Sequence, residues 1–166
     1  MKVGKVNPLW HTVTGMTPRS CSIASALTVI GEKWSLLVVR ELALGVHRFD
    51  QIQRNTGAPR DILTSRLRRL EEAGVLEKRP YQERPLRHSY HLTESGSELR
   101  PILLSLSQWG EKWTQQVNAV DWVHTCGEVV DVTHTCRACG EEVTGLDLRP
   151  KVRRSNRDVT LVERTR

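Results

Sequence analysis

The stretch that decides the fold is residues 58–76, Ala-Pro-Arg-Asp-Ile-Leu-Thr-Ser-Arg-Leu-Arg-Arg-Leu-Glu-Glu-Ala-Gly-Val-Leu. Three leucines in it recur at helical spacing, which predicts a helix with one apolar stripe: Leu63, Leu67 and Leu70. Pro59 falls at or just before the first turn, where its missing N–H costs nothing, and Gly74 ends the helix. By itself, this stretch is only a basic amphipathic helix that runs into a strand.

The residues around this stretch supply its context. Apolar residues at helical spacing predict three helices before it, over about 20–30, 32–44 and 49–55. Gly57 makes a tight turn that lets the third of them and the next helix cross steeply. A hairpin is predicted after it, with strands over 75–79 and 88–92 joined by a charged connection over 80–87. This order is typical of a winged helix-turn-helix, a mainly α fold with a small β component.

The chain continues beyond the hairpin. Thr93 is a good N-cap for a long amphipathic helix over 94–118, which Pro101 must kink or divide. After Val120, short alternating apolar segments surround three cysteines and predict a small β-rich unit. We therefore divide the chain into an N-terminal arm, a winged helix-turn-helix with its last helix, a cysteine-containing unit and a basic tail: residues 1–19, 20–118, 119–150 and 151–166.

The overall charge of the 166 residues is +6, which favours a polyanionic partner such as nucleic acid or an acidic membrane surface. No run of 18 apolar residues is present, and the first 20 residues lack the apolar segment of a secretory signal. We therefore expect a cytoplasmic protein that does not enter a membrane. Since no nucleophile–base–orienter set and no Gly-rich phosphate loop occurs, we do not expect an enzyme.

The polar face of the helix in 58–76 carries side chains suited to double-stranded DNA. Arginine can bond guanine with two hydrogen bonds, while serine and threonine can contact bases or phosphates. The candidate DNA contacts on this helix are Arg60, Thr64, Ser65 and Arg68. Arg84 and Arg87 in the hairpin connection suit the minor groove or its phosphates. A solvated helix face would look the same in isolation, so it is the hairpin and the positive charge that favour DNA.

The cysteines of the 119–150 unit predict a structural zinc site of the zinc-ribbon type. A Cys-x-x-Cys-Gly turn supplies two ligands, Cys136 and Cys139, and His124-x-Cys126-Gly supplies two more. His134 competes with His124 as the fourth ligand. Two alternatives stay open: a ribbon that has lost its metal, and a dithiol redox pair at Cys136 and Cys139.

Several blocks of the sequence resemble HxlR-type transcriptional regulators. These blocks are Cys21, Ile-Gly-Glu-Lys-Trp at 30–34, 36–42, Arg-Phe-Asp-Gln-Ile at 48–52, 63–71, 74–76, Pro85, Tyr90 and Leu-Thr-Glu-Ser-Gly at 92–96. The resemblance covers about residues 21–113. It implies a homodimer, built from the first and last helices, that binds a pseudo-palindromic operator and represses or activates a nearby gene. The sequence departs from the family pattern in two places. Ser22 follows Cys21 where the family has proline, and Gly31-Glu32-Lys33 precedes Trp34 where the family has Gly-Gly or Gly-Gly-Lys.

The resemblance also concerns Cys21, because the equivalent cysteine of some relatives senses oxidants or electrophiles. Cys21 starts the first predicted helix, where the helix N-terminus lowers a thiol pKa, so it is a candidate redox sensor. Its alternative role is that of a small buried residue in the dimer contact. A small-molecule or redox effector is thus a further expected partner. A different function, a zinc-ribbon adaptor that docks on protein or RNA polymerase without operator specificity, also stays open.

Overall fold

The computed structural model describes residues 21–145 and 148–151. Within these residues the chain forms six helices and one two-stranded hairpin: α1 (Ser22–Ile30), α2 (Lys33–Ala43), α3 (Phe49–Thr56), α4 (Arg60–Glu72), β1 (Leu76–Glu83), β2 (Leu86–Leu92), α5 (Glu94–Ser97) and α6 (Arg100–Thr114). The predicted fold class and the element order up to β2 are confirmed. The predicted arm over 1–19 and most of the basic tail over 151–166 lie outside the described residues.

The core lies within residues 33–92, which we call the winged unit. Its buried apolar side chains come from α2, α3, α4 and the segments that flank α4: Val38, Val39, Leu42, Ile52, Ala58, Leu63, Leu67, Leu70, Val75 and Leu76. All three leucines of the predicted α4 stripe are therefore buried, as expected for a helix with one face against a core. This packing leaves the opposite face of α4 toward solvent.

The turn between α3 and α4 sets the angle at which α4 is presented. Gly57 adopts a left-handed conformation with φ of 71°, and its N–H donates to the Gln53 carbonyl at 2.9 Å. A residue with a Cβ is strained in this conformation, whereas glycine is not. The Thr56 hydroxyl accepts from the Ala58 N–H at 3.3 Å and donates to the Ile52 carbonyl at 2.7 Å. The predicted tight turn is confirmed.

The wing is longer than the sequence predicts. The strands β1 and β2 pair antiparallel from Leu76 opposite Leu92 to Glu83 opposite Leu86, so the turn itself is only Arg84 and Pro85. The predicted connection over 80–87 is therefore wrong, since most of it belongs to strands. A shift in register near Pro80 accommodates a residue that has no N–H to donate, as is common in two-stranded ribbons.

The predicted helix over 94–118 is divided, as Pro101 required, but it ends early. The short helix α5 begins after Thr93, whose side chain accepts from the Gly96 N–H at 3.3 Å, and this confirms the predicted N-cap. Pro101 lies in the first turn of α6, where proline is tolerated. The helix ends at Thr114 because Gln115 adopts a left-handed conformation with φ of 57°, so the predicted end at residue 118 is wrong.

The two terminal helices, α1 and α6, contain no buried residue. Each carries large apolar side chains that are about half or more exposed and lie at helical spacing: Ile23, Leu27, Ile102, Leu106, Trp109 and Trp113. We call these side chains the terminal-helix faces. No single helix in the described part of the chain is long and apolar enough to cross a membrane, although α1 and α2, which meet at a 75° bend, together have the length and composition.

The segment after α6 does not form the β-rich unit that the sequence predicts. Residues 119–145 contain two tight turns, and each is closed by a single antiparallel bridge, Val123 to Val129 and Thr135 to Glu142. The segment rests on α6, since Gln108 donates to the Asp131 carboxylate and the Ser105 hydroxyl lies 3.2 Å from Nε2 of His134. None of the residues 119–145 is buried, and without a second apolar layer the short strands do not extend.

Candidate nucleic-acid interface

The exposed side of α4 carries all four of the candidate DNA contacts that the sequence predicts on this helix. Together with Asp61, they line a shallow groove of about 640 Å³, which we call the α4 groove: Arg60, Thr64, Ser65 and Arg68. They share this face because they occupy helix positions opposite the buried leucines. The structure thus brings these four side chains together at the surface.

The hydrogen bonds within the α4 groove limit what each side chain offers. The Thr64 hydroxyl donates to the Arg60 carbonyl at 2.8 Å, so its remaining capacity is to accept a hydrogen bond. Such an acceptor suits the amino group of adenine or cytosine in the major groove. The Nε of Arg68 lies 3.6 Å from the Glu72 carboxylate, an exposed pair whose net stabilisation is small. Arg68 therefore keeps donors available for a base or phosphate.

A second groove, about 540 Å³ in volume, lies between α3, the start of α4 and the wing, and we call it the wing groove. The wing groove is lined by one aspartate, Asp50, and by four arginines: Arg48, Arg54, Arg60 and Arg87. Two guanidinium groups are held over aromatic rings, Arg48 over Tyr81 and Arg60 over Phe49, each 5.0 Å from the ring centroid. Stacking of this kind orders an arginine and leaves its edge free to donate.

The sequence reasoning missed Arg48 and Arg54, which lie far along the chain from the wing. Arg48 forms an antiparallel bridge with Ser89 of β2, and the Tyr90 N–H donates to the His47 carbonyl at 2.9 Å. This pairing brings the α2–α3 linker beside the wing. No local spacing in the sequence signals it, because the contact joins residues about forty positions apart.

The two predicted wing arginines do not lie at the same place. Arg87 lines the wing groove with Arg60. Arg84 is at the tip of the hairpin, where its carbonyl accepts from Nε2 of Gln82 at 2.9 Å, and it lines neither groove. Arg84 is exposed, so any contact it makes lies outside both grooves.

One ion pair fixes the end of α4 to the wing. The ammonium group of Lys78 on β1 lies 2.7 Å from the Glu71 carboxylate, and this hydrogen bond raises the pKa of Lys78 above its ordinary value. Tyr90, on the neighbouring strand, has a pKa raised chiefly by burial. The Lys78–Glu71 contact ties α4 and the wing into one unit.

The root of the wing holds a pair of stacked histidines. The rings of His47 and His91 are 4.2 Å apart between centroids, and Nδ1 of His47 donates to the Tyr90 carbonyl at 2.8 Å. Burial lowers the pKa of His91 below its ordinary value of 6.5, and the neighbouring His47 and Arg79 lower it further. A neutral His91 is therefore part of the folded wing at neutral pH.

A buried carboxylate links α2 to α3, the helix that precedes α4. Glu41 is only 3% exposed and accepts from the Arg40 guanidinium at 2.7 and 3.0 Å and from the Asn55 amide at 2.8 Å. Next to it is a cavity of about 580 Å³ between α2, α6 and residues 118–122, with a mostly apolar lining. The cavity therefore touches both a terminal helix and the network that holds α3.

The predicted metal ligands occur as two pairs. Nδ1 of His124 lies 3.2 Å from Sγ of Cys126 in the first turn, and Cys136 and Cys139 share the second. The N–H groups of Cys139 and Ala138 lower the pKa of the Cys136 thiol. In residues 21–145 and 148–151, no three His, Cys, Asp or Glu side chains are close enough together to hold a metal ion. The predicted set of four is thus not assembled as one group.

None of the four cysteines forms a disulfide. Cys21 directly precedes α1 and is half-buried, and its carbonyl accepts from the N–H and the hydroxyl of Ser25 at 3.1 and 3.2 Å. The prediction that Cys21 lies at the N-terminus of the first helix is confirmed, since Cys21 is its N-cap. Its role as a redox sensor stays a prediction.

The fold and the two arginine-lined grooves define a winged helix-turn-helix protein. Residues 29–118 match the family described as HxlR-like helix-turn-helix, and the chain belongs to this family. The resemblance that the sequence blocks carry is confirmed.

Known relatives and solved structures agree with this assignment. An uncharacterised HTH-type transcriptional regulator of Mycobacterium tuberculosis is 42% identical over 133 residues, which cover 78% of this chain and 84% of the relative. One from Synechocystis is 37% identical over 101 residues, covering 60% and 75% of the two chains. The crystal structure of PA1607, a candidate transcription factor, superposes with a TM-score of 0.69 at 34% identity, over 80% of this chain and 94% of that chain.

The chain is thus a transcriptional regulator with a helix-turn-helix DNA-binding fold. Because the family and these relatives are transcription regulators rather than enzymes, the expectation that the chain is not an enzyme is confirmed.

Proposed function

We propose that this regulator binds a specific double-stranded operator as a homodimer, with α4 in the major groove and the wing groove on the phosphate backbone. The observation that carries the proposal is the position of Arg60, which lines both the α4 groove and the wing groove. The base-reading face and the arginine cluster are therefore one continuous basic surface. A helix of α4's size fits the major groove of B-DNA, and the cytoplasm is where such a regulator meets its operator.

The α4 groove would supply sequence specificity, and the wing groove would supply affinity for the DNA backbone. In the α4 groove, Arg60 and Arg68 are suited to guanine and Thr64 to an amino group on adenine or cytosine. In the wing groove, Arg48, Arg54 and Arg87 are suited to phosphates, and the stacked position of Arg48 limits the entropy lost on binding. Arg84 at the wing tip would reach the adjacent minor groove or its phosphates.

The homodimer is supported by the terminal-helix faces. Six large apolar side chains on α1 and α6 are exposed in a single chain, and exposed apolar helix faces of this kind usually mark an interface. A second copy presents the same faces, so a two-fold axis can cover both sets at once. Two α4 helices related by that axis would read a pseudo-palindromic operator.

Quantitative binding to the DNA upstream of the chain's own gene, in a salt series, tests the proposal. We expect specific binding with a steep salt dependence. Replacing Arg68 with alanine should cost about 1–3 kcal/mol on the operator and much less on unrelated DNA, if Arg68 reads a base. Arg100→Ala removes the same charge at the exposed start of α6 and is the matched control.

Equal binding to all sequences at every salt concentration would contradict operator specificity and favour the adaptor function. An adaptor does not need the α4 groove, so Arg68→Ala would then leave its partner binding unchanged.

The cavity beside Glu41 is a candidate binding site for the predicted small-molecule effector. Its volume of about 580 Å³ and its mostly apolar lining suit a small amphipathic molecule. Because Glu41 accepts from Asn55 of α3, a ligand there would act on the helix that braces α4. Leu37→Trp, which fills the cavity from α2, should abolish any effector response but preserve operator binding; an unchanged response would exclude this site.

The redox effector is a separate proposal that concerns Cys21 alone. Oxidant treatment should change operator binding of the native chain but not of Cys21→Ser. An equal response of both proteins would exclude Cys21 as the sensor.

A further inference from the structure

The two turns after α6 are built alike. In the first, the His124 N–H donates to the Glu128 carbonyl at 2.8 Å and the Gly127 N–H donates back to the His124 carbonyl at 2.9 Å. In the second, the Cys136 N–H donates to the Glu141 carbonyl at 2.8 Å and the Gly140 N–H donates back to the Cys136 carbonyl at 2.7 Å. Each turn therefore starts at a residue with a metal-binding side chain and closes on a glycine.

The glycines let each turn fold back over its own ligand atoms. Gly127 and Gly140 have φ of 96° and 79°, and each directly follows a cysteine. Glycine is the residue that takes this conformation without strain. As a result the two ligand groups of a turn lie close together: His124 Nδ1 is 3.2 Å from the Cys126 sulfur, and the Cys136 and Cys139 side chains are hydrogen-bonded.

No fully buried apolar side chain holds this segment together. None of the residues 119–145 is buried, and Val123 and Val129, which close the first turn, are 63% and 61% exposed. The cysteines form no disulfide. A unit of about 25 residues cannot build a core that offsets its conformational entropy, so such units rely on a disulfide, a metal or an interface.

We propose that His124, Cys126, Cys136 and Cys139 bind one structural zinc ion, and that the zinc holds the two turns together. Three thiolates and an imidazole form a closed tetrahedral set that zinc prefers. The two pairs stand apart in this structure, and residues 130–134 between the turns are in neither helix nor strand. Metal binding therefore brings the pairs together by rotating the two turns about this short connection, and folding of the unit is coupled to zinc.

The structure also chooses between the two histidines. Nε2 of His134 lies 3.2 Å from the Ser105 hydroxyl of α6, so this ring faces the helix and not a turn. His124 is already beside a cysteine sulfur. His134 and Asp131, which accepts from Gln108, instead attach residues 119–145 to α6.

Metal content and cobalt spectroscopy of the full chain test the zinc site. We expect about one zinc per chain as purified, and tetrahedral d–d bands with a thiolate charge-transfer band after cobalt substitution. Cys139→Ser should lose most of the metal, while Cys21→Ser, the matched cysteine control, keeps it. His124→Asn should change the cobalt spectrum, and His134→Asn should leave it unchanged.

Limited trypsin digestion supplies a readout that does not depend on spectra. Arg137 lies between Cys136 and Cys139 and is exposed, so a chelator should speed cleavage after Arg137 by at least tenfold, and added zinc should restore protection. Operator binding by Cys139→Ser should remain within about twofold of the native value, because the winged unit contains none of the ligands.

Two results would overturn the proposal. One is a chain, purified under reducing conditions without chelator, that contains no zinc and takes up no cobalt. The other is metal binding that Cys139→Ser does not reduce. A disulfide between Cys136 and Cys139 that forms and breaks reversibly in a metal-free chain would instead identify a dithiol redox pair.

Discussion

The winged unit differs from α1, α6 and residues 119–145 in how many apolar side chains it buries. Ten apolar side chains are buried in the described residues, and all of them lie between Val38 and Leu76. The terminal helices and residues 119–145 fully bury no apolar side chain, and only Val29, Ile30 and Leu103 of the terminal helices pack, partly buried, against the core. A segment with its own core is stable by itself, whereas a segment without one needs a partner. We therefore expect the winged unit to be self-sufficient and the other segments to depend on a second copy or a metal.

The largest effect should come from a cavity in the winged unit. Leu67 is 1% exposed, so Leu67→Ala should lower the free energy of unfolding by about 2–5 kcal/mol. Urea denaturation at several protein concentrations measures this, and the loss should not depend on concentration. Val129→Ala, at an exposed position in the first turn, is the control and should change little. A loss at Leu67 below about 1 kcal/mol would break the contrast between the two regions.

The next effect concerns the terminal-helix faces. Trp113 is 64% exposed in the single chain, and a tryptophan in the centre of an interface contributes about 2–4 kcal/mol. Trp113→Ala should thus raise the dimer dissociation constant by roughly 30- to 1,000-fold. Sedimentation equilibrium over a dilution series gives this constant. If the native chain is monomeric throughout, or if the variant dimerises normally, α6 is not the interface.

A smaller effect is expected at the wing groove. Arg54→Ala should weaken binding to all DNA sequences alike, by about 1 kcal/mol, and should reduce the slope of binding against salt by about 1. Fluorescence anisotropy with operator and unrelated DNA measures both. Asp50→Asn in the same groove should have the opposite effect. It removes a negative charge and should therefore tighten DNA binding slightly. Loss confined to the operator would show that Arg54 reads a base instead.

The smallest effect is a pH dependence within the winged unit. The pKa of His91 is lower in the folded chain than in the unfolded chain. As the pH falls below 6.5, His91 is therefore protonated in the unfolded chain before it is protonated in the folded chain, which favours unfolding. Stability should therefore decrease as the pH falls from 7 through this range, and His91→Gln should flatten the decrease. Thermal unfolding at a series of pH values measures it, with His134→Gln outside the winged unit as control. An unchanged slope in His91→Gln would exclude His91 as the cause.

Local sequence pattern was sufficient to predict the structure where a single helix packs on the core. The leucine spacing of α4, the glycine at residue 57 and the cap at Thr93 each act within a few residues, and all three predictions are confirmed. The same spacing placed the four α4 side chains on one face. Pattern was insufficient where a boundary depends on neighbours: the wing strands extend through the charged connection because each has a partner strand.

The sequence by itself determined the winged helix-turn-helix, the exposed polar face of α4 and the family, because helix periodicity and turn chemistry are local properties. Only the tertiary structure decided that Arg48 and Arg54 join Arg60 and Arg87, since that cluster depends on pairing between residues far apart in the chain. It also decided that α1, α6 and residues 119–145 lack a core. Burial is a property of packed neighbours, and the same apolar stripe can face a core or solvent.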